Sequence, residues 1–459
     1  MILGSRRLET LLASRRTSLI FSSRLSKRTI IEQKQEDYGV TFKRYYIVLL
    51  YGLLLYGGSL GRSKYDQVNK ALEKEYGLNY TSLVVYHSMY EILFLPGAIL
   101  STLLHNYFQL RWGITTAAIF LALGSSIKVM VGLHYWFFYI GQVIWAWSFS
   151  CLILASSLLA VKWFEDSKRE FMIAVTVSLS FTGFYQGPGI VSMLINMPDD
   201  GTSTIIDVVI IFAVKAGIWI FLAIITIITF RSKPAIPPSA AAIVERDNDI
   251  LGAIRQLVLD KQFVLLFLTH VLYSTSMVGF WYNFNHILRM YGFSSNDVYL
   301  MSLININAGI VGAIMLGVFL NFTGYYKTAN VVIGIFMLIF QLLLLIMLPL
   351  GFKSTWIISA FLGFVQFPSI PMSYIYASEI AYPLKETTVS AIVRAPAVVI
   401  ANIIAFTTSH LLKQDNTKTS LQIFIGCISA ILVPAIIIAL LMESVNYSVI
   451  KNQDVGKLN

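Results

Sequence analysis

Residues 231–261 read RSKPAIPPSAAAIVERDNDILGAIRQLVLDK, and they divide the chain into two similar halves. Pro234, Pro237 and Pro238 prevent a helix from running on across this stretch, and the mixed charges from Glu245 to Asp260 keep it out of hydrocarbon. Its second part, 249–261, is amphipathic enough to form a short helix at a membrane surface. On the N-terminal side, long apolar segments fall near 45–69, 82–105, 112–131, 135–162, 171–195 and 204–230. On the C-terminal side they fall near 262–288, 296–320, 329–350, 355–381, 387–412 and 421–442. Each can cross roughly 30 Å of hydrocarbon as a helix, the one open-ended conformation that satisfies its own backbone there. The expected fold is an all-α membrane protein of 12 transmembrane helices in two six-helix bundles, 45–230 and 262–442. A basic tail (1–44), the connector (231–261) and a C-terminal tail (443–459) complete it.

Composition agrees with this layout. Of 459 residues, 56% are hydrophobic and 13% charged, which would leave a soluble chain with too much exposed apolar surface. The net charge of +10 invites a nucleic-acid reading, but its placement argues against one. Ten of the 34 Lys and Arg precede Tyr45, and the alternate connections on that same side carry about twice as many as the opposite loops. That is the positive-inside pattern with both termini cytosolic, and no nucleic-acid partner is expected. Cys151 and Cys427 both fall within spans, which implies neither a disulfide framework nor a thiolate metal site. With no Gly-rich phosphate loop, zinc spacing or nucleophile–base set, neither an ATP-driven pump nor an enzyme is expected, and no cofactor.

The first 30 residues interleave Arg6, Arg7, Arg15, Arg16, Arg24, Lys27 and Arg28 with Leu and Ser, and contain a single acid, Glu9. They read either as a cytosolic tail that sets topology and touches anionic lipid or as a mitochondrial presequence. The tail is preferred, which favours the plasma membrane over a mitochondrial or other organelle membrane. Asn79-Tyr80-Thr81 is a candidate glycosylation sequon in the first outside loop.

Ionisable groups at bilayer depth mark cavities or partners. Arg62 lies 17 residues past Tyr45, about 25 Å along a continuous helix. It reads as a cation at the top of a central cavity or as an interfacial arginine paired with Asp66. Arg394, in Val393-Arg394-Ala395-Pro396, reads as a site for an anionic substrate group or as half of a gate with a carboxylate such as Glu379. Glu91, beside His87 and Tyr90, reads as a proton relay or a structural carboxylate. Lys128 and Lys215 are expected to snorkel from span ends. Trp281 and Tyr282 in the seventh span, with Phe280, Trp145 and Trp147, are aromatic candidates for a cavity wall.

Dispersed motifs carry a resemblance. They are Ile127-Lys128-Val129 with Gly141-Gln142, Trp163-Phe164, Lys233-Pro234 with Pro237-Pro238-Ser239, Phe263-Val264-Leu265-Leu266, Gly363-Phe364, Pro371, and Ala377 with Glu379 and Tyr382-Pro383. Over about 45–442 the chain resembles the feline leukaemia virus subgroup C receptor-related family of the major facilitator superfamily. The resemblance implies the major facilitator fold and a facilitator of choline and ethanolamine, or of haem. The departures concern the cargo. The family's first-span cage Trp falls on Arg62, its seventh-span Tyr on Met277 or Val278, and its two Gln near Thr182 and on Val398. Tyr65 alone looks retained, and the superfamily's loop Asp is replaced by Asn106 and Asn321. An arginine in place of the cage Trp would repel choline.

The expectation is therefore a monomeric carrier, embedded in the lipid bilayer, that moves a small organic solute by alternating access, with a bias towards a solute bearing an anionic group. Choline, ethanolamine or haem is the alternative cargo, and a non-transporting receptor or scaffold the alternative class. Substrate-binding candidates are Arg62, Tyr65, Thr182, Trp281, Tyr282 and Arg394; relay or gating candidates are His87, Glu91 and Glu379.

Overall fold

The computed structural model describes residues 42–61, 66–78, 86, 89–195, 204–239, 242, 249–382, 384–414 and 417–443. In the first half, α1 (Lys43–Leu60) leads to α2 (Asp66–Tyr76), α3 (Phe94–Tyr107), α4 (Gln109–Val129) and α5 (Trp136–Ile153) with its continuation α6 (Ser156–Trp163). α7 (Arg169–Ile195) and α8 (Ile205–Thr229) follow. After the short α9 (Ile250–Leu259), the second half holds α10 (Lys261–Met290), α11 (Ser295–Thr323), α12 (Tyr326–Met347) and α13 (Phe352–Gln366) with α14 (Ser369–Ile380). α15 (Glu386–Gln414), then α16 (Lys418–Ala430) with α17 (Leu432–Leu441), close it. Among the described residues, nine helical stretches are long and apolar enough to cross a membrane.

The side chains sort by face, as helices between lipid and protein must. Along α8, Ile206, Ile210, Ile218, Phe221 and Ile228 are exposed, whereas Val208, Phe212, Trp219 and Ala223 turn inward. The connector helix α9 starts at Asp249, whose Oδ1 accepts from the Gly252 amide at 2.9 Å, and buries Ala253 and Leu257. Asp260 then caps α10 through the amides of Gln262 and Phe263.

Neighbouring spans and a proline set two of the helix ends. The second described helix, α2, begins at Asp66, and the first, α1, ends at Leu60. Its glycine-rich end is held from outside itself. Trp145 Nε1 donates to the carbonyls of Gly57 (3.2 Å) and Gly58 (3.1 Å), Tyr90 to Gly58 (2.7 Å), and Gln142 Nε2 to Gly61 (2.9 Å). Carbonyls that a continuing helix would have used are thus satisfied by neighbouring spans. The tenth span breaks at Phe367-Pro368, because Pro368 has no amide for the preceding turn.

Close approach between α11 and α13 depends on glycine. A Cβ on Gly363 would land on the Asn305 carbonyl, and one on Gly312 on the Phe364 carbonyl. Gly363→Val should lower the midpoint of thermal unfolding in detergent by overpacking worth about 1–3 kcal/mol. Gly217→Ala, where nothing lies within 4 Å of the added carbon, should leave it unchanged. Equal midpoints for the two variants would contradict this packing.

The two halves meet along two seams, α3 against α15 and α7 against α11. The end of the bundle that carries Lys43 and Glu443 is called basal below, and the opposite end apical.

Candidate functional site

Between the halves lies a cavity of about 120 Å³. Its walls come from both bundles: Glu91 and Phe94 around the start of α3, Phe149 and Ile153 from α5, and Ser180 and Phe181 from α7. The second half supplies Ser274, Met277, Val278, Trp281 and Tyr282 from α10, with Arg394, Val398 and Asn402 from α15. Rings from the two halves touch, since Phe181 packs edge-on against Phe367 at 4.8 Å and Phe367 against Trp281 at 5.9 Å.

Arg394, Val398 and Asn402 share one face of α15 at four-residue intervals. The Arg394 guanidinium donates from one nitrogen to Ser274 Oγ (3.2 Å) and to His270 Nε2 (3.1 Å). Since the guanidinium can only donate, Nε2 accepts there and the imidazole carries its proton on Nδ1. Tyr374 on α14 also faces this cation. Two turns further along α15, Asn402 Nδ2 donates across the halves to Glu91 Oε2 at 3.3 Å. One cavity therefore holds a guanidinium and a carboxylate on its wall, with aromatic and aliphatic surface around them.

The placement of the expected residues is uneven. Trp281, Tyr282, Arg394 and Glu91 line this cavity together. Thr182 turns its hydroxyl back to the Leu179 carbonyl at 2.7 Å, and its neighbours Ser180 and Phe181 supply the wall instead. Arg62, Tyr65, His87 and Asn79 lie outside the described residues. Met277, Val278 and Val398, the positions on which the resembled family's cage residues fall, all line the cavity.

Glu379 goes elsewhere. It lines a small basal cleft with Arg169, Ser378 and Glu386, apart from the cavity of Arg394. The pairing of Arg394 with Glu379 is therefore corrected: the arginine sits 8 residues into α15, level with α10, while Glu379 ends α14 beside the basal seam. That seam is sealed by polar contacts. Asn106 Nδ2 donates to Thr388 Oγ1 (2.9 Å), and Thr387 Oγ1 donates to Asn106 Oδ1 (3.1 Å). Lys385 Nζ donates to the Asn106 carbonyl (2.9 Å), and Tyr326 donates to Glu170 Oε1 (3.2 Å). Asn321 donates to the Ser167 carbonyl on the same side.

Lys128 does not snorkel. It is 1% exposed, with Nζ donating to Gln142 Oε1 at 2.6 Å and lying 4.3 Å from the centre of the Trp145 ring. Tyr86, Phe138 and Phe212 surround the same ammonium at 5.7–6.0 Å. Rings and an amide oxygen offset its desolvation where water cannot reach. Trp145 thus braces α1 rather than lining a cavity, and Phe280 packs in the core against Phe284. Missed in the sequence were His270, Ser274 and Asn402. The available signal was spacing: 270 and 274 sit one turn apart on α10, as do 394, 398 and 402 on α15.

The comparisons with known proteins agree with this architecture. The Major Facilitator Superfamily profile matches residues 59–406. The chain belongs to the Major Facilitator Superfamily. It is an integral multi-pass membrane transporter of the superfamily type. It is similar to the human choline/ethanolamine transporter FLVCR2, 24% identical over 394 residues, covering 83% of this chain and 74% of that one. The feline choline/ethanolamine transporter FLVCR1 is 23% identical over 407 residues, covering 85% and 72%. An uncharacterized MFS-type transporter of Caenorhabditis elegans is 23% identical over 422 residues, covering 87% and 70%. Among solved structures, the Escherichia coli fucose:proton symporter FucP superposes with a TM-score of 0.64 at 14% identity, over 87% of this chain and 99% of that one. The proton:xylose symporter XylE gives 0.65 at 12%, over 86% and 95%. At those identities the structural likeness concerns the fold.

Proposed function

We propose that the chain carries a small organic solute by alternating access through the cavity between its halves, and that Arg394 receives an anionic group of that solute. The observation that carries this reading is the position of Arg394: its guanidinium is on the wall of a two-domain cavity, anchored by Ser274 and His270. In the state described here, the basal seam is closed by Asn106, Thr387, Thr388 and Lys385. Opening it would expose the cavity to the other side while the bundles rock about the site. Glu379, beside Arg169 in the basal cleft, belongs to this gate.

A second reading has its own support. The Glu91 carboxylate and the rings of Phe149, Phe181 and Trp281 are what a cation such as choline would need, and the similar human and feline proteins are named choline/ethanolamine transporters. Haem is disfavoured, because about 120 Å³ falls below the roughly 300–1,000 Å³ of pockets for drug-sized ligands. The site is complete within one chain, which fits a monomer; the solute passes chemically unchanged, and the chain acts neither as an enzyme nor on nucleic acid. The plasma membrane is the proposed location.

The test is a cysteine placed in the wall. In a Cys427→Ser background, which leaves only the buried Cys151, Val278→Cys should lose saturable uptake after treatment with a charged methanethiosulfonate. The transported solute should slow that modification. Full uptake by quantitatively labelled protein would put the pathway elsewhere.

A further inference from the structure

The cavity has two poles, and both are built. At one, the Arg394 guanidinium is fixed by Ser274 Oγ and His270 Nε2 on α10. At the other, the Glu91 carboxylate is held by Asn402 Nδ2. Arg394 and Asn402 are eight residues apart on one face of α15, about 12 Å of helix rise. Between them the wall is apolar: Val398 on α15, and Met277, Val278 and Trp281 on α10. Arg394 and Glu91 both line this one space.

The space is small. About 120 Å³ lies well below the roughly 300–1,000 Å³ of pockets for drug-sized ligands. A solute that fills it contacts both ends at once. A solute with only a cation would engage Glu91 and the rings, yet bring nothing to the guanidinium while displacing water from it. A solute with only an anion has the converse defect. In a low-dielectric cavity each defect is costly, because displaced hydration is not replaced. A solute with both charges compensates both poles and enters with no net charge.

We propose that the cavity selects a small zwitterion whose cationic group docks at Glu91 and whose anionic group docks at Arg394, the two separated by a short apolar linker. This deepens the transport reading above and rests on it. The chemistry suits an ω-amino acid or its quaternary ammonium counterpart. A linker of several bonds matches poles fixed by residues two turns apart on α15, Arg394 and the Asn402 that holds Glu91, better than the adjacent charges of an α-amino acid. Charge-assisted contacts at both ends also explain how an arginine and an aromatic, carboxylate-bearing wall coexist in one site.

The full-length protein in liposomes tests it with four probes: choline, butyrate, γ-aminobutyrate and 4-(trimethylammonio)butyrate. At least one of the two zwitterions should show saturable uptake at least tenfold more efficient than choline or butyrate. In detergent, that zwitterion should raise the unfolding temperature more than either singly charged probe at equal concentration. Glu91→Gln should narrow the preference over butyrate, and Arg394→Gln the preference over choline, each by about tenfold. Efficient uptake of choline or butyrate with neither zwitterion carried would overturn the proposal while leaving transport through the cavity intact. Absence of flux and of thermal stabilisation with every probe would overturn both.

Discussion

Arg394→Ala should abolish saturable uptake of a solute bearing an anionic group, while passive background flux through the liposomes persists. The guanidinium is the cationic group the cavity offers from α15, and it is pre-positioned by Ser274 and His270. Hydrogen bonds to a charged group are worth about 1.5–3 kcal/mol, so each one lost lowers apparent affinity roughly 10- to 150-fold. Losing a bidentate pair therefore takes a small solute out of the measurable range. Arg394→Lys should fall between, keeping the charge but losing the planar fork. The alanine variant also strips His270 and Ser274 of a donor, so its unfolding temperature must be measured alongside. Wild-type uptake kinetics in a folded Arg394→Ala protein would remove this residue from the site.

The second large effect is at the basal seam. Asn106→Ala removes two side-chain hydrogen bonds between the halves, to Thr388 Oγ1 and from Thr387 Oγ1, while the Lys385 contact with the backbone carbonyl remains. At about 1 kcal/mol each, their loss should shift the ratio of basally open to basally closed protein by roughly 30-fold, since about 1.4 kcal/mol is tenfold. The bonds exist only in the closed state, so the variant biases the equilibrium instead of uniformly weakening the fold. A reporter is available at Ser390, buried in the same seam and 3.3 Å from Ser157 across it. With Cys427→Ser as background, maleimide labelling of Ser390→Cys should accelerate when Asn106→Ala is added. An unchanged labelling rate would show that the seam is held by other contacts, such as Tyr326 with Glu170.

The contrast between these two residues shows what kind of information each level holds. Arg394 was visible as a candidate because an arginine in the middle of an apolar segment is costly and needs a reason. Asn106 was visible only as a departure from a superfamily acid, with no role attached. An amide at a helix end is cheap, and nothing local says that Thr387 and Thr388, nearly 300 positions away, will meet it. Lys128 makes the same point in reverse. Near a span end it reads as a snorkelling lysine, because sequence position reports depth and not whether a ring cage waits there. The cage is assembled from Tyr86, Phe138, Trp145 and Phe212, which come from three separate segments.

Sequence by itself determined the all-helical membrane class, the division at residues 231–261 and the superfamily. These follow from segment length, apolar composition and charge placement, which act along the chain and need no partner. Only the tertiary structure decided what holds the glycine-rich end of α1, where the carbonyls of Gly57, Gly58 and Gly61 are satisfied by Tyr90, Gln142 and Trp145 from other segments. It alone separated Arg394 from Glu379 and joined Arg394 to His270 and Ser274, and Glu91 to Asn402. The physical reason is common to all of these. Hydrophobicity sums over neighbours in sequence, whereas hydrogen bonds and buried charges act over a few ångströms between residues that only packing brings together.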